Sequence, residues 1–394
     1  METNVKINRG LKGVYFERSG ISDIDGSKGE LTYRGYQIDE LAKHSSFEEV
    51  CYLIIFGELP SKIKFDNFNE KLKNFRSLPE EIYEIIKIVK MGHPMDVLRT
   101  CVSTLQSLNK DTKRISKESL VESGLKLISQ IPIVIAAHQR IRNDLQPIVP
   151  QKNLSHSANW LYMLNGEKPS KDNEKLTDLD FILHAEHGSN ASSFAARVTI
   201  GTKAKIYDAF VTAISTLSGP AHGGAAEDVM KMIDEIGEPE NVSNYIKNKR
   251  MRKEPITGFG HRVYKKEDPR ARFLKIGLKK LSIEKGEPKW FKILENLVLE
   301  MKPYARHGLN VNVDLYSGAI YNLQKIPMDL FVPIFAIGRS PGWVAQCLEQ
   351  YESNILIRPL TLYNGAKHKK YIKINNRKWE ELLYITNFSG LNFL

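Results

Sequence analysis

The 394-residue sequence has only three cysteines, Cys51, Cys101 and Cys347, and no Cys-x-x-Cys pair. That argues against a disulfide framework or a cysteine-built zinc site. Cys51 and Cys347 sit among apolar neighbours in helical patterns and read as buried thiols. No uninterrupted apolar run reaches the roughly 18 residues of a membrane span. The opening METNVKINRGLKG has no apolar signal core. A soluble, intracellular, cytoplasmic protein with no membrane partner is therefore expected. Tandem repeats and low-complexity tracts are missing as well. The 57 basic and 46 acidic residues leave a formal charge of +11, which suits anionic partners. The charges are interspersed, as in KMIDEIGEPENVSNYIKNKRMRKEP, and no basic stripe carries interleaved aromatics. A nucleic-acid partner is not expected on that pattern.

What the chain does have is helical periodicity. GISDIDGSKGELTYRG reads as a small hairpin. In HSSFEEVCYLIIFGELP, Ser46 and Glu49 are spaced as a capping box, and Gly57 and Pro60 end the helix. PEEIYEIIKIVK puts Ile82, Ile85, Ile86 and Val89 on one face. Similar periods recur at 96–107, 118–141, 154–164, 205–217, 225–236, 287–301, 315–323, 328–337 and 342–352. Polar breaks are expected at 142–153, 165–178, 237–256 and 302–310. The length allows two or three domain-sized units, and the expected class is all-α with minor N-terminal β-structure.

Five stretches carry candidate chemistry. In STLSGPAHGGAAED, Gly219-Pro220 must break one helix, and Gly223-Gly224 allow a tight turn into the next. His222 therefore lies in a turn near a helix N-terminus, where the partial positive charge disfavours an imidazolium. A neutral ring there can donate to a carbonyl oxygen that gains charge. A histidine capping a helix–helix turn fits the same residues. In TGFGHRVYKKEDPRARF, His261 follows a glycine-flanked loop. Arg262, Lys265, Lys266, Arg270 and Arg272 come close behind, a density suited to carboxylates or phosphates, or to a solvated basic face.

In LNVNVDLYSGAIYNL, Asp314 follows a β-like run, as an N-cap or as a positioned base. His184 and His187 in LHAEHGSNASS are three apart, but the neighbouring acid is not arranged as in a His-Glu-x-x-His metal site, and no metal is expected. Arg339 in AIGRSPGW and Arg358 in LIRPLTLY sit at Gly- or Pro-marked boundaries. There they suit carboxylate recognition or an ordinary surface position.

Together, GPxHGG, GxGHRVYKxxDPR, NVDxYSG, GRxxGW and IRP, in this order, resemble the citrate synthase family. DGSKGELTYRGYQIDELAKHSSFEEVCYLIIFGELP and GHPMDVLRT are similar to it too, so the resemblance covers nearly the whole chain. It implies a two-domain helical homodimer. The large domain would comprise 1–222 and 326–394, and the small mobile one 223–325. It implies condensation of acetyl-CoA with oxaloacetate, then hydrolysis of citryl-CoA to citrate and CoA. No cofactor would be bound permanently, the CoA thioester being a co-substrate.

By motif match, Asp314 would be the base, His222 the donor to the enolate oxygen, and His261 the donor to the oxaloacetate carbonyl. Arg270, Arg339 and Arg358 would hold carboxylates, with Arg358 reaching across from the partner subunit, and His187 would contact substrate. Ile256, Thr257, Gly258, Phe259 and Gly260 would cradle the CoA adenine, with Asn312 beside the pantetheine arm and Lys265 near the phosphates. Gly219, Gly223, Gly224 and Gly258 are the hinge candidates. Ala221 stands where a larger residue is usual in the family, and Leu360 where a polar or basic residue is common. Such changes bear on the shape of the acyl pocket. Two alternatives remain at this point: a 2-methylcitrate synthase using propionyl-CoA, and an inactive paralogue acting as a binding or scaffold protein.

Overall fold

A computed structural model describes residues 5–109 and 116–377. The chain forms two compact units, Met1–Leu356 and Ile357–Leu394. Among the described residues there are sixteen α-helices and one small three-stranded antiparallel sheet.

The sheet is the expected hairpin. β1 (Ser22–Asp25) pairs with β2 (Glu30–Tyr33) in the register Ser22↔Tyr33, and β3 (Tyr36–Gln37) continues it. Asp25 closes the turn: its carboxylate accepts from the backbone N–H groups of Ser27 and Lys28 at 2.9 and 3.0 Å. The Ser27 hydroxyl and these N–H groups hold its carboxyl down at about 2.

α1 (Ile38–His44) and α2 (Phe47–Phe56) follow. Ser46 Oγ accepts from Glu49 N–H, so one half of the expected capping box is formed, and Gly57 ends α2 in the left-handed region. α3 (Lys62–Asn74), α4 (Glu80–Ile88) and α5 (Pro94–Leu108) pack around α6 (Lys117–Arg142). By length and composition α6 could cross a membrane, yet 72% of its most apolar window is buried inside the protein, as befits a core helix.

α7 (His156–Asn165) ends at Gly166. The polar stretch after it is not a loop throughout. Ser170 caps α8 (Lys171–His184), which begins inside the expected break because its first turn is solvated and its buried residues start only at Leu176. α9 (Ala191–Gly201), capped by Asn190, packs on α10 (Ile206–Leu217). α11 (Ala225–Ile236) leads to α12 (Val242–Met251), inside a second expected break. Only Val242 and Ile246 of α12 are buried, too thin a stripe for periodicity to reveal.

α13 (Ala271–Glu284), α14 (Pro288–Met301) and α15 (Asp314–Leu323) pack together, and α11 lies on α15. The two periods expected at 328–337 and 342–352 are one helix, α16 (Phe331–Glu352). Pro341 lies inside it and cannot donate to the Ile337 carbonyl one turn back. Ser340 Oγ donates to that carbonyl instead, at 2.8 Å. α16 packs against α6, α9, α2 and α8, and buries Trp343 completely. All three cysteines are free and buried.

The second unit is irregular where described, with one short 3-10 turn, Ile374–Asn376. Within it Tyr363 donates to the Ala366 carbonyl at 2.9 Å.

Candidate active site

Four chain segments converge at the C-terminal end of α8: the turn 218–224, the loop 256–270, the start of α15, and α16. The turn is tight. A Cβ on Gly223 would stand 2.4 Å from the Leu217 carbonyl oxygen and 2.8 Å from Val332 Cγ1, so only glycine fits. This presents His222 to the start of α9. The backbone N–H of Ser192 donates to His222 Nε2 at 3.3 Å, and Ser192 Oγ lies 3.0 Å from the same nitrogen. An N–H in the first turn of a helix has no intrahelical acceptor and carries the positive end of the macrodipole. His222 does lie just before α11, which begins at Ala225, and the N–H that its ring accepts comes from the first turn of α9. Since a backbone N–H only donates, the neutral His222 ring carries its proton on Nδ1. Burial, helped by Arg339, pushes its pKa down to about 4.

His261 is held in the opposite sense. Its Nδ1 accepts from the backbone N–H groups of Val263 and Tyr264 at 3.0 and 3.1 Å, which leaves the proton on Nε2. Burial and then Arg270 push its pKa down to about 4, with Asp268 opposing. His187 is buried beside it, ring centroids 5.2 Å apart, and its Nε2 lies 3.1 Å from the Tyr264 hydroxyl. Burial, then Arg270, keeps His187 far below the ordinary histidine range.

Arg270 is buried and forked onto Asp268, Nε to Oδ1 at 2.9 Å and Nη2 to Oδ2 at 2.6 Å. Burial works against the guanidinium charge, and Asp268 more than reverses this. Arg339 on α16 donates from Nε to the His184 carbonyl at 2.6 Å and lies over the Phe335 ring. Its Nη1 is buried with no partner among the described residues. Burial lowers Arg339 to about 10, although Glu186, Tyr33 and Asp314 support its charge.

Asp314 is the first residue of α15, not its N-cap, and its own N–H donates to Asn312 Oδ1 at 3.1 Å. Burial raises the pKa of its carboxyl, against the pull of His184 and Arg270. The loop carrying Gly258 is tied to the chain just before it. Phe259 bridges to Val311, Asn312 N–H donates to the Gly258 carbonyl at 3.0 Å, and Asn312 Nδ2 donates to the Gly260 carbonyl at 3.0 Å. Gly258 has φ +85°, and a Cβ there would lie 2.5 Å from Leu315 Cδ1. Ile256 is buried, and Thr257, Phe259 and Gly260 are partly so.

The five basic residues after His261 do not act as one patch. Arg270 is buried, Arg262, Lys265 and Lys266 are exposed, and Arg272 pairs with Asp39. The Lys265 backbone N–H bonds the Gly26 carbonyl of the hairpin at 2.8 Å. His184 and His187 face different partners, since His184 Nδ1 bonds the Asp180 carbonyl at 2.9 Å. Arg358 belongs to the second unit, where it is exposed.

The sequence matches the family description "Citrate synthase, C-terminal domain" over residues 10–360. The chain belongs to the citrate synthase family. It is 42% identical over 374 residues to citrate synthase 2 of Bacillus subtilis, covering 94% of this chain and 99% of that one. It is also 38% identical over 381 residues to 2-methylcitrate synthase 2 of Corynebacterium glutamicum, covering 95% and 99%. Its fold matches the citrate synthase of the archaeon Thermoplasma acidophilum, solved as a ternary complex with carboxymethyl coenzyme A and oxaloacetate. The TM-score is 0.90 at 28% identity, over 94% of this chain and 100% of that one.

In this citrate synthase family member several site residues escaped the sequence reading. Ser192, Tyr264 and Asp268 contact the groups above, and the buried Glu186 supports the charge of Arg339. Tyr264 and Asp268 lie inside the GHRVYKxxDPR motif, so their spacing was visible. Ser192 is one of many serines, and only the fold brings it to His222.

Proposed function

We propose that the protein condenses acetyl-CoA with oxaloacetate and hydrolyses the resulting citryl-CoA to citrate and CoA. The observation that carries this reading is a pair of neutral histidines holding opposite tautomers, grouped with a half-buried aspartate and two buried arginines. In the proposed reaction Asp314 takes a proton from the thioester methyl group. Burial raises its proton affinity, which favours a base acting on a weak carbon acid. Charge moves onto the thioester oxygen, where the Nδ1–H of His222 donates. The Nε2–H of His261 donates to the keto oxygen of oxaloacetate and polarises its carbon. The methyl carbon bonds to that carbon, and the keto oxygen takes up a proton to become a hydroxyl. Water then attacks the thioester carbonyl, and CoA leaves as the thiol.

Arg270, Arg339 and the partner subunit's Arg358 would neutralise the two carboxylates, with His187 contacting the substrate. The unpaired Nη1 of Arg339 supports its part in this. Ile256, Thr257, Gly258, Phe259 and Gly260, with Asn312 and Lys265, would receive the CoA arm as a co-substrate. The relative named 2-methylcitrate synthase and the small Ala221 favour a second reading, use of propionyl-CoA. One methylene in an apolar pocket is worth only about 1–3 kcal/mol.

The test is CoA release with oxaloacetate, run in parallel with acetyl-CoA and propionyl-CoA. Release preferring acetyl-CoA, abolished in Asp314→Ala, is expected. Preference for propionyl-CoA would move the assignment to the second reading. No release from folded protein with either thioester would reject both, leaving a binding role.

We further propose that residues 223–325 form a small domain that closes over oxaloacetate, within a homodimer. Closure would keep water from free acetyl-CoA. Small-angle scattering tests both parts. A dimer mass and compaction on adding oxaloacetate are expected, and a monomer or an unchanged radius would count against them.

A further inference from the structure

We propose that Gly26, in the turn of the N-terminal hairpin, is a positioning residue for His261, acting through the Val263–Tyr264 peptide. This rests on the reading of His261 as the donor to the oxaloacetate carbonyl. The hairpin supplies no group to the site, yet its turn lies directly against the loop that holds the ring.

That loop has one solvated side: Arg262 and Val263 are exposed, while Tyr264 is buried. The N–H groups of Val263 and Tyr264 both donate to His261 Nδ1, at 3.0 and 3.1 Å. The next N–H, that of Lys265, donates to the Gly26 carbonyl at 2.8 Å. Gly26 thus draws the loop in, and its missing side chain leaves room for it. A Cβ on Gly26 would stand 2.2 Å from the Val263 carbonyl oxygen and 2.8 Å from its carbon. Both are backbone atoms, so no side-chain rotation could relieve the contact.

The Val263 carbonyl and the Tyr264 N–H belong to one peptide unit. That unit is planar and trans, so its oxygen and its hydrogen point in opposite directions and turn together. Gly26 stands at the oxygen end and His261 Nδ1 at the hydrogen end. The tilt that Gly26 permits therefore sets the direction from which the ring is held. The Val263 N–H, on the other side of the same residue, moves with it. The turn itself is braced. Asp25 Oδ1 accepts from the N–H groups of Ser27 and Lys28 and from the Ser27 hydroxyl at 2.6 Å, and the Gly29 N–H donates to the Asp25 carbonyl at 2.8 Å. The hairpin is the fixed part, and the loop is the part that is set.

The test is Gly26→Ala in the full-length protein. Gly26 is not in the left-handed region, so alanine brings no backbone strain of its own and acts through the contact alone. The Val263 carbonyl would have to retreat by about 1 Å, a misplacement that can cost on the order of 100-fold in rate. Amide hydrogen exchange, 15N NMR of the imidazole and steady-state kinetics read the outcome. Exchange at Tyr264 and Lys265 should quicken. The bare Nδ1 resonance should move toward that of a ring nitrogen without donors. The kcat should fall by roughly 10- to 100-fold. Oxaloacetate KM should change less, because Arg270 stays forked on Asp268, whose N–H donates to the Val311 carbonyl at 3.0 Å and not to the hairpin.

Gly35→Ala is the control. Gly35 has φ +87° and nothing within 4 Å of its Cβ position, so this change strains the same sheet without touching the loop. It should leave the Nδ1 resonance and kcat in place. Asp25→Ala unbraces the turn without adding bulk. It should move the same readouts in the same direction by less, even if Gly26→Ala folds poorly. Unchanged exchange and an unmoved Nδ1 resonance in Gly26→Ala and Asp25→Ala, or equal changes in Gly35→Ala, would overturn the proposal. A shifted ring with undiminished turnover would uphold the positioning link and instead remove His261 from the donor role.

Discussion

Arg270 and Arg339 come from different regions of the protein and meet at the same site, both almost completely buried. Arg270, at the end of a loop, brings its own counter-ion two residues earlier in Asp268. Arg339, in the middle of a long helix, has a backbone carbonyl, an aromatic face and one guanidinium nitrogen with no partner among the described residues. The first is a completed ion pair that presents a fixed positive edge. The second is a buried charge without an ion-pair partner among the described residues, and its depressed pKa records the cost. Burial of two equal charges therefore does two different things: one closes an ion pair in the loop, and the other keeps a guanidinium nitrogen open, which suits the carboxylate-binding role proposed above.

The largest effects are expected where this contrast is broken. Arg270→Gln leaves the fully buried Asp268 without its cation, which should remove about 3–5 kcal/mol of folding stability as well as oxaloacetate binding. Arg339→Gln should cost far less stability, on the order of 1 kcal/mol, because Glu186 keeps its bonds to Gln346 and Ser22. Its oxaloacetate KM should nevertheless rise roughly 10- to 150-fold, as for a lost charged hydrogen bond of about 1.5–3 kcal/mol. Urea unfolding and initial rates on both variants check this. Equal stability losses would erase the distinction.

A pH series gives a smaller, graded effect. His222 and His261 have folded pKa values of about 4 against an ordinary 6.5. The unfolded chain therefore takes up protons first as the pH falls. Their contribution is complete above pH 6.5 and is lost progressively down to about pH 4. Midway, the two groups together should give a slope approaching about 2.5 kcal/mol per pH unit. Unfolding midpoints across this range, compared with His222→Gln/His261→Gln, measure it. A slope unchanged in the double variant would reject the neutral assignment.

Much of this was legible in the sequence, for identifiable reasons. α2, α4 and α5 announce themselves because caps, breakers and apolar stripes agree. α8 and α12 hide inside polar breaks because their outward faces are almost wholly solvated, and what they bury is set by tertiary packing. Pro341 suggested a boundary, but α16 runs through it because Ser340 satisfies the carbonyl that proline abandons. At the site, glycine spacing around His222 and His261 marked the residues, while the nitrogen that carries each proton depended on partners far away in sequence. Ser192 is 30 residues from His222, and no local pattern joins them.

Arg339 and Trp343 stand four residues apart on α16, so their backbone positions differ by about 6 Å along one axis, a little over one turn. In the proposed assignment one end of that interval grips the acceptor substrate, and the other donates to Ser192 Oγ, which lies 3.0 Å from the ring of His222. The helix pitch then fixes the spacing of these two contacts. Inserting a single residue between them would swing one end by about 100° relative to the other.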